Sequence, residues 1–153
     1  MKKDTYLYLD FDGVLHPFGE EAITETGQLL DNPNLFIWVE ALESVLDNFE
    51  NVRIIVSSDW RRLFDDETLI RLLRGLGSRF HGVVESQPQD RYNEILQDAE
   101  NRNIKKWIAI DDHHSIKEAS KSDERLIWCT PDMGIGNIDK QLELRDKLLR
   151  LQQ

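Results

Sequence analysis

The sequence predicts a doubly wound α/β fold, a central parallel sheet with helices on both faces. Two observations predict it. Five short apolar runs, rich in Val, Ile and aromatic residues, recur along the chain, and segments with apolar residues at three- and four-residue spacing separate them. Strands covered on both faces read as continuous apolar runs, and strands alternating with helices imply parallel pairing through crossovers. Right-handed crossovers bring every strand's C-terminal end to one edge, where such folds bind ligands.

In chain order, the first strand is expected at Tyr6 to Leu9 and ends at Asp10. His16 to Asn34 follows, the least regular stretch, with Pro17, Gly19, Gly27 and Pro33; it reads as a mobile flap over residues 16–34 or a plain connector. A helix is expected over Leu35 to Phe49, a strand over Val52 to Val56, a helix over Glu67 to Leu76 and a strand over Gly82 to Val84. Then come a helix over Arg91 to Ala99, a strand over Trp107 to Ile110, a short helix over His114 to Ser120, a strand over Arg125 to Trp128 and a closing helix over Ile138 to Leu151. The gap between the second and third strands is too short for a separate cap domain.

The chain has 153 residues, the size of one domain spanning 1–153, and its 40% hydrophobic and 31% charged residues mark it as globular rather than disordered. No apolar run approaches the roughly 20 residues of a membrane span, so no membrane association is expected. The N-terminal residues carry no signal-peptide pattern. A single cysteine, Cys129, excludes an internal disulfide, which is compatible with a cytoplasmic location. The net charge of −10 opposes non-specific binding to nucleic acid. Residues 61 to 79 run against that balance, with Arg61, Arg62, Arg71, Arg74 and Arg79 facing Asp65, Asp66 and Glu67. That patch suits either an anionic substrate or a solvated helix face. No obligate protein partner is evident.

The chemistry concentrates where strands end. Tyr6-Leu7-Tyr8-Leu9-Asp10-Phe11-Asp12-Gly13-Val14-Leu15 places two carboxylates just past an apolar strand, with Gly13 to permit a tight turn. Carboxylates crowded this way repel each other unless a cation or charged partner joins them. The second strand ends in Ser57-Ser58-Asp59-Trp60-Arg61. The fourth ends in Asp111-Asp112-His113-His114, again adjacent carboxylates. Zinc is disfavoured there, because four consecutive residues do not readily converge on one tetrahedral site and carboxylates suit Mg²⁺ better.

A cation for an anionic ligand has four candidates: Arg91, Arg102, Lys105 and Lys106. Lys105 and Lys106 precede a strand of five residues, which at about 3.3 Å each leaves them roughly 16 Å from its active end. Arg102 lies past its helix, toward the same wrong edge. Arg91 opens a helix on the active edge, and a guanidinium grips phosphate in a fork.

At these residues the sequence resembles the haloacid dehalogenase superfamily, whose first motif is an apolar strand followed by Asp-x-Asp. The resemblance implies a three-layer Rossmann-like fold, capless or with only a small flap, and a Mg²⁺-dependent phosphatase. Asp10 would be the nucleophile. Asp12 would be general acid and then base, with its main-chain carbonyl on the metal. Ser58, or alternatively Ser57, would hold the phosphoryl oxygen together with the next main-chain N–H, that of Asp59. Arg91 would bind phosphate, and Asp111 and Asp112 would complete the Mg²⁺ site with Asp10.

Ser57-Ser58-Asp59-Trp60-Arg61, Arg91-x-x-Glu94-Ile95, Asp111-Asp112 and Cys129-Thr130-Pro131-Asp132-x-Gly134 also look like the small capless domains associated with RNA-repair proteins. That likeness implies a phosphorylated substrate: a small molecule, a nucleotide or a nucleic-acid end. Thr130 to Gly136 reads most simply as a Pro/Gly turn. A non-catalytic binding module of the same fold is the alternative reading, and the clustered charges speak against it.

Overall fold

The computed structural model describes residues 3–153. The strands are β1 (Thr5–Leu9), β2 (Val52–Val56), β3 (Phe80–Val83), β4 (Trp107–Asp111) and β5 (Leu126–Trp128). The helices are α1 (Val39–Leu46), α2 (Asp66–Leu72), α3 (Arg91–Asn101), α4 (His114–Ala119) and α5 (Ile138–Leu151). All strands pair in parallel, in the order β3-β2-β1-β4-β5. The expected three-layer α/β arrangement is the one observed.

Alternation along the strands builds the layers. Leu7, Leu9, Ile54, Val56, Ile108 and Ile110 face one way and pack with Leu42, Leu46, Leu69, Leu144 and Leu148 of α1, α2 and α5. Tyr8, Ile55, Trp107 and Ala109 face the other way and pack with Ile95 and Ala99 of α3 and Ile116 of α4. After β3, at one edge, the chain crosses to β4 on the far side of β1. The strand order therefore reverses between β1 and β4, and a crevice opens at their C-terminal ends.

Three expected elements differ. The helix expected from Leu35 begins at Val39, because Phe36 adopts φ 61°, a conformation no helix continues through. Leu35 and Phe36 are nonetheless buried, so their apolar spacing reflects a turn folded onto the core. The helix expected to Leu76 ends at Leu72, and a 3-10 segment runs from Arg74, at φ 53°, to Arg79. The third strand begins two residues early and ends one residue early, with a register shift between Ile54 and Ile55 of its neighbour.

The 16–34 stretch contains no helix or strand, only two isolated bridges, a parallel one from His16 to Asp12 and an antiparallel one between Ile23 and Leu29. His16, expected at the start of a mobile flap, is fully buried. Part of the basic run is structural. Arg79 donates to the carbonyls of Leu46, Phe49 and Val52, and Arg74 to those of Leu35 and Phe36. Cys129 is a buried thiol, as its apolar surroundings predict.

Candidate active site

Register brings three side chains into one row. Leu9 pairs with Val56 on one side and Ile110 on the other. The ladders continue one step, from Ser57 N–H to the Leu9 carbonyl at 3.0 Å and from Asp10 N–H to the Ile110 carbonyl at 3.2 Å. Ser57, Asp10 and Asp111 therefore stand side by side at the C-terminal edge. Each lies two residues beyond Ile55, Tyr8 or Ala109, which face α3 and α4, so the row is set on that face.

The start of α3 meets this row. Asp90 caps the helix by accepting from Asn93 N–H at 2.9 Å. Arg91, the first helical residue, donates through Nη1 to Asp111 Oδ2 at 2.7 Å and lies 3.3 Å from Asp10 Oδ1. Its Nη2 is 3.5 Å from Asp59, on the exposed rim. The buried Glu94 accepts from Arg62 at 2.9 Å and Arg61 at 3.4 Å, and lies 3.9 Å from Arg91 Nε. Glu94 thus restrains the guanidinium from behind.

Asp112 completes an acidic cluster: carboxylate oxygens of Asp10, Asp111 and Asp112 lie within 4.8 Å of one another. Gly13 makes this possible. It holds φ 77°, and a Cβ there would overlap the Asp112 carboxylate. Burial, with Asp111 next, pushes the Asp10 carboxyl well above the usual carboxylate range, and Arg91 only partly offsets this. Burial raises Asp112 too, against a hydrogen bond with Asp10 that acts the other way. At Arg91 burial opposes the charge, but Asp111 and Asp10 outweigh it and raise the guanidinium further.

With all three carboxylates ionised, the one guanidinium would leave two negative charges uncompensated. Hard oxygen donors carrying that excess fit a divalent cation of the Mg²⁺ type. The histidines are not among the cluster's donors. His113 caps α4, its Nδ1 accepting from Ser115 N–H at 3.1 Å, and its ring stacks against His114.

Asp12 is expected at the metal through its main-chain carbonyl, and its side chain is engaged elsewhere. Its carboxylate is outside the cluster: Oδ1 lies 2.7 Å from His16 Nε2, and Oδ2 accepts from the Trp60 indole N–H at 3.0 Å. Its main-chain carbonyl remains as the group it can offer a cation. The serines also differ from each other. Ser58 Oγ accepts from Trp60 N–H at 3.2 Å and caps the 3-10 turn Asp59–Arg62, whereas the buried Ser57 Oγ has no partner among the described residues. Arg61 donates to the carbonyls of Ser57, Ser58 and Val84, tying the ends of β2 and β3 together.

The turn after β5 is more than a connector. Ile135 N–H donates to the Val14 carbonyl at 3.0 Å, Phe18 N–H to the Pro131 carbonyl at 2.9 Å, and a Cβ on Gly134 would overlap the Val14 carbonyl. Thr130 to Gly136 braces the loop that carries Asp12.

A family model described as the HAD domain in Swiss Army Knife RNA repair proteins matches residues 6–139. The chain belongs to this family. No curated protein and no solved structure matches it. In this HAD domain the match runs from β1 to the start of α5 and includes Asp10, Asp12, Ser57, Arg91, Asp111 and Asp112. No helix among the described residues is long and apolar enough to cross a membrane.

His16 and Glu94 carry contacts that sequence reasoning did not assign. Glu94 had a signal, its place one helical turn after Arg91. His16 lies four residues after Asp12 in a non-helical loop, a spacing without a regular partner rule.

Proposed function

We propose that this HAD domain is a Mg²⁺-dependent phosphohydrolase that cleaves phosphomonoesters through an aspartyl-phosphate at Asp10. The observation that carries the reading is the convergence of Asp10, Asp111, Asp112 and Arg91 at the crevice between β1 and β4. Acidic residues alone would repel a phosphate, and the guanidinium alone would bind one without reaction. Side by side, they provide a nucleophile, a cation site and an anion grip.

Asp10, Asp111 and Asp112 would hold Mg²⁺, with the Asp12 main-chain carbonyl. The bound cation supplies charge neutralisation, letting one anion approach another. Arg91 orients the phosphoryl oxygens in its fork. Ser57 Oγ, buried beside Asp10 and without a partner among the described residues, is better suited than Ser58 to accompany it, since Ser58 Oγ is engaged at a cap. Asp10 attacks phosphorus, the bond to the leaving oxygen breaks, and Asp12 gives that oxygen a proton. Asp12 then takes a proton from water, which attacks phosphorus and releases inorganic phosphate and the Asp10 carboxylate. The sum is one water consumed per ester cleaved.

The described residues include no cap over the crevice. An open site suits a phosphate on a bulky carrier, so a nucleotide or a nucleic-acid end is the substrate class we favour. The net charge of −10 weakens any broad grip on a polyanion and leaves recognition to the site itself.

The test is release of phosphate from an aryl phosphate, then from phosphorylated oligonucleotide ends, with Mg²⁺ or with EDTA. The reading requires activity in the wild type, lost with EDTA and in Asp10→Asn. Activity that survives both would sink it.

A further inference from the structure

Asp12 is held by two donors that belong to neither the acidic cluster nor the phosphate grip. His16 is fully buried, and its two ring nitrogens have different partners. Nδ1 accepts from the Phe36 main-chain N–H at 3.3 Å. A nitrogen that accepts carries no proton, so the ring's proton is on Nε2, which donates to Asp12 Oδ1 at 2.7 Å. A ring with the opposite tautomer would set two N–H groups against each other at Phe36.

The other Asp12 oxygen accepts from Trp60 Nε1. His16, Phe36 and Trp60 contact one another, with ring centroids 5.0 Å (His16–Phe36), 5.7 Å (His16–Trp60) and 5.3 Å (Phe36–Trp60) apart. Phe36 sits at φ 61°, the conformation in which it presents its N–H to His16.

We propose that His16 is a positioning residue for Asp12: its Nε2–H, fixed by the Phe36 N–H, locks the Asp12 carboxylate in the orientation that protonates the leaving oxygen. This rests on the phosphohydrolase reading. Each Asp12 oxygen accepts one hydrogen bond from the protein and keeps a second lone pair, and the carboxylate is partly exposed, so it can still exchange a proton with substrate. Without His16, Oδ1 loses its anchor and the carboxylate is free to rotate about its Cβ. Proton transfer needs orientation more than phosphate binding does, so the loss falls on the two steps in which Asp12 moves a proton, and kcat/KM reads the first of them, transfer of the phosphoryl group to Asp10.

The experiment compares wild type, His16→Leu and His16→Gln on 4-nitrophenyl phosphate and glycerol phosphate. The first has a leaving group that departs without protonation, and the second needs the proton. We expect His16→Leu to lower kcat/KM about 10- to 100-fold more on glycerol phosphate than on the aryl ester, a part of the roughly 10²- to 10⁴-fold a general acid contributes, since Asp12 itself remains. Gln places an N–H where Nε2 stood, so His16→Gln should recover most of that selective loss. Equal losses on both substrates, with no recovery in His16→Gln, would overturn the proposal while leaving the phosphohydrolase reading intact. A wild type inactive on every phosphomonoester would overturn both. Nitrogen NMR of the imidazole gives a readout apart from turnover. The proton must be on Nε2 of His16 in the resting protein, and a proton on Nδ1 refutes the proposal whatever the kinetics.

Discussion

Arg91 Nη1 stands 2.7 Å from Asp111 Oδ2 and 3.3 Å from Asp10 Oδ1, so one guanidinium nitrogen is shared by the ends of the two strands that flank the crevice. That sharing makes Arg91 the only guanidinium bridging the cluster among the described residues, and it ties stability to cation binding.

Arg91→Met should therefore leave two buried carboxylates without their countercharge. Removing one partner of a buried pair typically costs about 3–5 kcal/mol. Urea unfolding should show a loss of that order without Mg²⁺ and a much smaller one at saturating Mg²⁺. A loss of equal size in both conditions would mean that the cluster does not take up the cation.

The crowding of Asp10 gives metal binding a pH dependence. Its carboxyl is pushed well up by burial and by Asp111 and Asp112. The sign follows from linkage: a carboxyl raised in the folded state costs stability as pH rises through that raised value, because the native site disfavours the charge. Mg²⁺ binds the charged form and must displace the proton. The rise in Tm on adding Mg²⁺ should be larger at pH 8 than at pH 5. An equal rise at both would count against Asp10 as a ligand.

Gly13→Ala should strain a residue at φ 77° and force the Asp112 carboxylate aside. We expect Mg²⁺ affinity, measured by calorimetry, to fall about 10- to 100-fold, as when groups that orient metal ligands are altered. Unchanged affinity would remove Asp112 from the metal site.

Much of this site could be read from residues whose position follows from strand ends. Asp10, Ser57 and Asp111 each close an apolar run, and parallel register then aligns them without further information. Arg91 could be placed because it opens a helix on the same edge. The direction of the Asp12 carboxylate could not be read. It depends on Trp60, 48 residues away, and on His16, whose partner Phe36 sits in a turn that apolar spacing disguised as helix. That Ser58 rather than Ser57 is consumed by a local cap could not be read either, because it depends on the 3-10 turn after them.

Away from the site, Asp123 offers a check on the fold's own electrostatics. Burial would raise it, but hydrogen bonds from Arg125 and Tyr92 outweigh that and hold its carboxyl down to about 2. A depressed carboxyl stabilises above its unfolded value and loses that contribution as pH falls through the folded one. Asp123→Asn should be less stable than wild type at pH 7, and the difference should shrink as pH falls from about 4 toward 2. A difference that does not vary with pH would mean the ion pair contributes nothing.

The central claim is that Asp10 receives the phosphoryl group. The most direct measurement is fluorine NMR of the protein with beryllium fluoride, a mimic of a phosphoryl group on a carboxylate. The account predicts a bound resonance that requires Mg²⁺, persists in Asp12→Asn and disappears in Asp10→Asn. A bound resonance that survives Asp10→Asn, or none in the wild type with Mg²⁺ present, would contradict it.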